Sequence, residues 1–389
     1  MRVAYVCADP GVPVFGRKGS SVHVQEVLRG LRRRGADVRL LCARTGGEPP
    51  ADLADLTVHP LPHVTGADPA ARELGLIAAN ANLSAALTSL GPIDLVYERY
   101  SLWSTAGMAD AAEHDIPGVL EVNAPLVDEQ ARHRGLVHRS AAERAALSAL
   151  GTATAVVAVS EPVAAWARAV VGGATPVHLV PNGVDPARIR PAAPAPAPSG
   201  CTIGFVGTLK PWHGVEVLIH ALGRLAGRQD GWRLLLVGTG PEADRLAALA
   251  VQLGVAHLVE TAGAVDPADI PAYLHRMDIA VAPYPDTPGM YFSPLKLYEY
   301  LAAGLPVVAS AVGQVRAVIV DQHNGVLVPP GDVAALTAAL HELRADPVRR
   351  SRLAAAARRS AEDGHTWDRV VERILSAAGY ADVPAGAAR

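Results

Sequence analysis

The sequence predicts an α/β protein built from two doubly wound domains, and three observations carry that prediction. Short apolar runs alternate with amphipathic stretches along the chain, as parallel strands alternate with their crossover helices. The alternation stops at "PAAPAPAPSG", Pro191 to Gly200, and restarts immediately after it. At 389 residues, 50% of them hydrophobic, the chain is too long for one ordinary domain and suits two of roughly 180–200 residues, each with its own core.

In the first half, "RVAYVCA" (Arg2 to Ala8) reads as a strand, and a glycine-containing loop leads into "SVHVQEVLRGLRRRG", whose apolar residues recur at helical spacing. "DVRLLCA" (Asp37 to Ala43) closes the first βαβ unit. "DLVYERY", "PGVLEV", "AVVAVS" and "PVHLVPNG" are further short apolar strands of a parallel sheet, separated by helices. Alternating Pro and Ala then makes residues 191-200 a semi-rigid extended linker, which leaves 1-190 as the first domain. After it, "CTIGFVGT" is a strand, "GVEVLIHALGRLAG" a helix, and "WRLLLVGTGPEADRLAALAVQLG" a strand, glycine turn and helix. "HLVETAGA", "IPAYLHRM", "DIAVAPY", a helix at Leu295, "LPVVAS", "NGVLVPPGD" and "DVAALTAALHELRAD" complete a second domain over 201-365. Sheets of this kind bind ligands outside the carboxyl ends of their strands, and the interdomain cleft is the expected site.

Composition removes several function classes. A net charge of −3 and a pI near 6.5 argue against a nucleic-acid partner. The run Arg32-Arg34 reads as a solvated helix end, with weak contact to an acidic membrane surface as the minority reading. No run approaches ~18 uninterrupted apolar residues, so no membrane span is expected, and the N-terminus reads as a strand rather than a signal peptide. Cys7, Cys42 and Cys201 are far apart in sequence and form no CxxC pattern, which points to a reducing, cytoplasmic setting. Of 35 basic side chains only Lys18, Lys210 and Lys296 are lysines. In so Arg-rich a chain, a retained lysine suggests a need for a compact point charge.

Four loops carry chemistry. "DPGVPVFGRKGSSVHV" follows the first strand: Gly16 and Gly19, with Ser20 and Ser21, fit a turn whose amides face an anion at a helix N-terminus, a plain turn being the alternative. It is not GxGxxG, so a nicotinamide dinucleotide fold is unsupported. "FVGTLKPWHGVEVL" (Phe205 to Leu218) repeats the geometry with Gly207, Lys210 and His213. A lysine there can offset charge developing on a leaving diphosphate, and otherwise is an exposed turn charge; His213 is otherwise a packing ring. In "VGTGPEADRL", Gly238, Gly240 and Pro241 make a tight turn, structural first and a ligand approach second. In "SPLKLYEYLAAGLPVVAS" (Ser293 to Ser310), Pro294 opens a helix whose first turns hold Leu295, Lys296 and Glu299. Glu299 can accept two vicinal ribose hydroxyls, each charge-assisted bond contributing roughly 1.5–3 kcal/mol. A mutual Lys296–Glu299 ion pair on a solvated face, about 0.2–0.5 kcal/mol, fits less well among Leu295, Leu297 and Leu301.

With these loops in place the chain resembles the retaining glycosyltransferases of family 4, over nearly its whole length. "YEYLAAGLPVVAS" is similar to the family's Glu-x-x-x-Ala-Gly-x-Pro-Val-Val-Ala segment, and "LVPNGVD" (Leu179 to Asp185) to its interdomain turn. "VAVSEPVA", "LLLVGTGPE" and "DIAVAPY" stand in the expected order. The resemblance implies a GT-B fold: two Rossmann-like domains facing a cleft, with a C-terminal helix, 366-380, crossing back to the first domain ahead of a disordered tail, 381-389. It implies that Glu299 binds the nucleotide ribose, that the Gly19 amide faces the diphosphate, and that the backbone at Ala264 and Val265 edges the base. Thr208, Gly238, Ser293 and Leu295 join this donor set. Tyr291 stands where the family has the first glutamate of a pair, so sugar identity does not carry over. Thr208 and His213 stand where the family has Arg and Lys, leaving Lys210, aided by Lys296, as the substitute cation. Asn123 replaces a histidine of the N-domain cleft.

The expected activity is metal-independent transfer of a hexose-type sugar from a nucleoside diphosphate sugar, a UDP-sugar first, to a hydroxyl acceptor. Retention places the acceptor on the face the phosphate leaves, and the phosphate oxygen takes its proton. Catalytic roles fall to Lys210, Glu299 and Asn123; Lys18, Arg99, Asn123, Asp128 and His133 make the acceptor side. For Arg99, pairing with Glu98 or Glu121 is the structural alternative. No Asp-x-Asp occurs, so neither a metal nor a cofactor beyond the donor is expected. Two rivals remain. A sugar-nucleotide epimerase would need several cleft carboxylates, of which only Asp128 and Glu129 are apparent. A non-catalytic nucleotide-sugar-binding or auxiliary protein is kept open by Tyr291.

Overall fold

A computed structural model describes residues 1–193, 200–228, 231–287 and 290–380. They divide into two compact units, Met1–Pro181 joined by the segment from Trp367, and Asn182–Thr366. The first unit runs β1 (Arg2–Cys7), α1 (Gly19–Arg33), β2 (Asp37–Cys42), β3 (Thr57–Pro60), α2 (Pro69–Ala78), α3 (Asn80–Ser89), β4 (Leu95–Arg99), α4 (Ala106–Glu113), β5 (Gly118–Val122), α5 (Leu126–His133), α6 (Arg139–Thr152), β6 (Ala155–Ala158), α7 (Glu161–Val171) and β7 (Val177–Leu179). The strands form one parallel sheet in the order β3-β2-β1-β4-β5-β6-β7. Strands β4, β5 and β6 are buried throughout, because crossover helices cover both faces of a parallel sheet. Local signals set the helix ends: Ser160 accepts the Val163 amide at the start of α7, and Gly172 in the left-handed region ends it.

The second unit repeats the plan. It runs β8 (Cys201–Val206), α8 (Val215–Ala226), β9 (Trp232–Val237), α9 (Ala243–Gln252), β10 (Val259–Gly263), α10 (Ile270–Leu274), β11 (Ile279–Ala282), α11 (Leu295–Ala302), β12 (Val307–Ser310), α12 (Val315–Val318), β13 (Val326–Val328), α13 (Val333–Ala345) and α14 (Pro347–Gly364). Its sheet order is β10-β9-β8-β11-β12-β13, again parallel. In each sheet the order reverses beside the first strand, between β1 and β4 and between β8 and β11. Such switch points are where the carboxyl-end loops diverge and leave a crevice. One core layer, with Leu218, Leu222, Leu234 and Leu340, lies on one face of the second sheet; the other, with Tyr284, Tyr298, Tyr300 and Leu301, carries α11.

The last helix, α15 (Trp367–Ala377), belongs to the first unit, burying Trp367, Val371 and Ile374. Val371 reaches Gly30 of α1, and Arg33 pairs with Asp368 at 2.8 Å.

The structure corrects the expected boundaries. Residues 182–190 belong to the second unit, not the first. Asn182 donates to the Ser293 carbonyl at 2.7 Å, Ile189 is buried in the second core, and the Arg358 guanidinium on α14 donates to the carbonyls of Pro186, Ile189 and Ala302 at 2.9, 2.8 and 2.6 Å. Helix α14, which supplies that clamp, has no counterpart in the sequence reading, nor do α2, α3 and the edge strand β3. Residues 194–199 of the linker and 381–389 of the tail lie outside the described residues. Cys7 and Cys42, distant in sequence, are register partners on β1 and β2; both are buried free thiols, and burial raises them to about 12 and about 11. Among the described residues no helix is long and apolar enough to cross a membrane.

Arg358→Ala strips three carbonyls of a charged donor in one step. It should destabilise the second unit by about 2–3 kcal/mol, and Arg358→Lys should recover only part, because one ammonium cannot reproduce the fork. Urea denaturation of the full chain measures both, and a loss below ~0.5 kcal/mol for the alanine variant would show that the clamp is dispensable.

Candidate functional site

In the second unit, the loop after β8 and the start of α11 meet at the switch point. Gly207 has φ +140, a conformation for glycine, and a Cβ there would lie 2.7 Å from the Lys296 Nζ. Gly238, at the end of β9, has φ +131, and a Cβ would sit 2.1 Å from the Gly207 carbonyl oxygen. The two glycines let two strand ends and one lysine share a space that side chains would fill. The Tyr300 hydroxyl accepts the Val206 amide at 2.8 Å and fastens α11 to the end of β8. The first turn of α11 has Pro294 at its N-cap and no side-chain cap; the Leu297 amide donates to the Pro294 carbonyl at 3.1 Å, and those of Leu295 and Lys296 open toward an anion.

Lys296 is 8% exposed and its Nζ has no hydrogen-bond partner among the described residues. The Nζ lies 4.0 Å from the Phe205 ring centroid and 5.5 Å from that of Tyr284. Burial lowers its ammonium to about 7, against the opposing pull of half-buried Glu299 one turn on. His213 Nδ1 bonds the Thr208 carbonyl, which fixes the N–H on Nδ1 and leaves Nε2 an acceptor. Burial, then the charges of Lys296 and Lys210, push that imidazole down to about 3, so it is neutral at physiological pH. Lys210 turns outward: its Nζ lies 5.3 Å over Trp212, itself 47% exposed. The expected order of the two lysines is therefore inverted. Lys296 holds the inner position beside the loop backbone, and Lys210 the rim.

The remaining second-unit candidates divide. Thr208, Gly207, Gly238, Lys296 and Glu299 gather around this loop. Val265, after β10, is partly buried against the α11-side core, and Tyr291 is half-buried with its ring 6.4 Å from Phe292. Leu295 opens α11. Ser293 is committed elsewhere: its Oγ accepts the Asn182 amide at 3.2 Å and lies 3.1 Å from the Tyr298 hydroxyl, so it acts as a junction.

In the first unit two of the candidates, Arg99 and Asn123, converge on a residue outside the expected set. Glu121, at the carboxyl end of β5 and 2% exposed, receives His23 Nε2 at 2.7 Å, Arg99 Nη1 at 2.9 Å, the Tyr97 hydroxyl and the Asn123 side-chain amide. Burial alone would raise its carboxyl; the pull of His23, then Arg99 and the Tyr97 hydroxyl, holds it at about 2. The Arg99–Glu121 pair follows from register, the two being direct partners across β4 and β5, while Glu98 faces the other side of the sheet. Arg99 is thus a buried ion-pair member rather than an open acceptor contact. Asn123 donates to Glu121 and so turns its carbonyl oxygen away from the carboxylate. His23 also stands edge-on to Trp367 at 5.1 Å, which ties α15 to the cluster.

Gly16 closes a turn pinned by Gln25, which donates to the carbonyls of Val14 and Gly16 at 2.9 and 3.1 Å. Exposed Lys18 holds the N-cap position of α1, and Gly19 and Ser20 open the helix with no side-chain cap. Asp128 and His133 do not join Glu121. Asp128 pairs with Arg139 at 3.5 Å, and His133 is exposed at the end of α5. Nor is Arg32-Arg34 a free basic patch: Arg32 pairs with Asp55 at 2.6 Å, Arg33 with Asp368, and Arg34 with Glu372 at 3.8 Å.

Comparison with known proteins places these sites in a family. Residues 17–188 match the model of Glycosyltransferase Family 4, and residues 200–346 that of Glycosyl transferases group 1. A D-inositol 3-phosphate glycosyltransferase of Xylanimonas cellulosilytica is 30% identical over 401 residues, covering 94% of this chain and 92% of the relative. The chain belongs to glycosyltransferase family 4. A glycogen synthase of Mycobacterium tuberculosis is 32% identical over 200 residues, and the match spans 47% of that relative and 51% of this chain. Among solved structures, sucrose-phosphate synthase of Thermosynechococcus elongatus superimposes with a TM-score of 0.74 at 18% identity, covering 97% of this chain and 98% of the other. The Anabaena protein HepE in complex with UDP gives 0.70 at 19% identity, covering 97% and 99%. These likenesses establish the GT-B fold.

Glu121 gives this family 4 member a measurable acid signature. A carboxyl held at about 2, against 4.5 when unfolded, contributes stability that is complete above pH 4.5 and lost as pH falls toward 2. Glu121→Gln should therefore be clearly less stable than wild type at pH 6, with the gap narrowing steadily below pH 4.5. Denaturant titrations of both proteins from pH 6 down to pH 3 test it; a gap independent of pH would sink it.

Proposed function

We propose that this chain transfers a hexose-type sugar from a nucleoside diphosphate sugar, a UDP-sugar first, to a hydroxyl acceptor, with retention of configuration and without a metal ion. The observation that carries the reading is the anion-ready cluster of the second unit: a helix start without a side-chain cap and a buried lysine beside Gly207, with Glu299 one turn along. Family membership supports it, as does the fold likeness to HepE, whose structures are with UDP and with UDP-glucose.

In this reading Glu299 accepts the ribose hydroxyls, and the α11 amides and Lys296 face the diphosphate. The bond from the anomeric carbon to the phosphate oxygen breaks as the acceptor oxygen bonds that carbon from the same face. The acceptor proton passes to the leaving phosphate oxygen. Charge on the leaving group is met by fixed dipoles and a cation, whose arrangement precedes the reaction and so costs little reorganisation. Asn123, with its orientation set by Glu121, offers an acceptor oxygen to a sugar hydroxyl. The epimerase alternative loses support, because Asp128 and Glu129, both on α5, are paired with Arg139 at the start of α6 and Arg134 just after α5.

Glu299→Ala should weaken UDP binding at least tenfold, the loss expected when charge-assisted bonds to a diol are removed. Calorimetric titration of UDP, GDP and dTDP into wild type and variant, with and without chelator, checks donor class and metal independence together. Proton NMR of the anomeric signal in the product of a UDP-sugar turnover checks retention. Binding of UDP unchanged in the variant would overturn the role of Glu299, and abolition by chelator would overturn metal independence.

A further inference from the structure

Lys296 poses a physical problem that the donor reading resolves. An ammonium removed from water without a hydrogen-bond partner is among the most costly groups a protein interior can hold. This one is more than nine-tenths buried, partnerless among the described residues, and faces aromatic rings. A lysine kept only for packing would be served as well by methionine or leucine. On the β8 loop Thr208 carries no charge, and His213 is a neutral ring with its N–H already given to Thr208. Lys210 reaches outward over Trp212. Lys296 is the cation that remains against the loop backbone.

We propose that Lys296 is the diphosphate-binding cation of this site and that, where it rests in part uncharged, it takes up a proton when the nucleoside diphosphate binds. The inference rests on the donor reading above and adds a mode of regulation to it. The groups around Lys296 allow the switch. Glu299 on its own helix is the one carboxylate acting on it; His213 from the β8 loop is neutral; Lys210 on that loop faces Trp212; and the Tyr284 hydroxyl, after β11, is buried and stays protonated. Burial already brings the Lys296 ammonium to about 7. Two phosphate charges placed beside Nζ favour the protonated form, so binding and protonation reinforce each other. The proton comes from solvent on binding and returns to it when the nucleoside diphosphate departs. Donor affinity then falls as pH rises above neutrality, up to tenfold per pH unit, until the lysine of the bound state itself titrates.

The test is UDP binding to the full chain by calorimetry in buffers of different ionisation enthalpy, from pH 6.5 to pH 9. Above about pH 8 the terminal phosphate of UDP is fully ionised, so proton uptake there belongs to the protein. Wild type should take up close to one proton at pH 8.5 and bind more weakly than at pH 7. Lys296→Met should remain folded, with a melting temperature at or above wild type because a desolvated charge has gone. It should bind UDP at least tenfold more weakly at pH 7, with no proton uptake and a flat pH profile. Lys296→Arg, always charged, should bind without proton uptake. Proton uptake that survives in Lys296→Met, or UDP affinity in that variant within twofold of wild type, overturns the proposal. Wild type that binds none of UDP, GDP or dTDP overturns the donor reading and this inference with it.

Discussion

Every strand in both sheets is parallel, and from that constraint the rest follows. A parallel strand cannot be joined to its neighbour by a hairpin, so each return path is a crossover that covers one face of the sheet. Both faces are thereby buried, and the loops that can differ without cost to the core leave from the strand ends. Where the order reverses, beside β1 and β8, adjacent loops turn to opposite sides and a crevice opens between them. Gly207, Lys296 and the start of α11 lie at one such edge, and Glu121 with Asn123 at the other sheet's carboxyl edge. The chemistry sits where the architecture has freedom to spare.

The second site shows how a local choice propagates. With glycine at 207 and 238 the strand ends approach closely, and the lysine of α11 fits against bare backbone. The surrounding rings, Phe205, Tyr284, Phe292 and His213, stand 5.4 to 6.5 Å apart and exclude water from its flank. That exclusion weakens the hold of Lys296 on its proton and, together with the charges of Lys296 and Lys210, keeps His213 neutral. A neutral imidazole and a labile ammonium thus occupy a region where, in a wetter setting, the lysine would stay charged and the imidazole would titrate near neutrality.

Much of this was legible in the sequence because it is written in local punctuation. Glycine turns after apolar runs marked the β8 and β9 loops, and Pro294 marked the start of α11. The Pro/Ala segment marked the break between the halves, though not its position, since the pull of Arg358 on residues 186–189 depends on a helix distant in sequence. What escaped was non-local. Sequence could not tell which lysine of the β8–α11 pair turned inward, because that depends on the clearance at Gly207. Nor could it name Glu121 as the centre of the first-unit cluster, because its partners come from α1, β4 and its own strand, and only the β4–β5 register brings them together. A glutamate inside the apolar run "PGVLEV" was the available signal. Edge strand β3 escaped for another reason: Thr57 and Pro60 are exposed and Val58 and His59 only half-buried, so burial imposes little pattern on them.

The return of α15 has a topological consequence. The chain leaves the first unit at Pro181, completes the second as one uninterrupted excursion, and re-enters the first at Trp367. A single backbone scission after Pro181 would therefore not separate them into two independent bodies. The fragment carrying the second unit would also carry α15, whose apolar face, with Trp367, Val371 and Ile374, belongs in the core of the other fragment. The two halves, expressed as separate polypeptides, would have a built-in adhesive and could be reassembled by complementation, the first incomplete without the helix that the second carries.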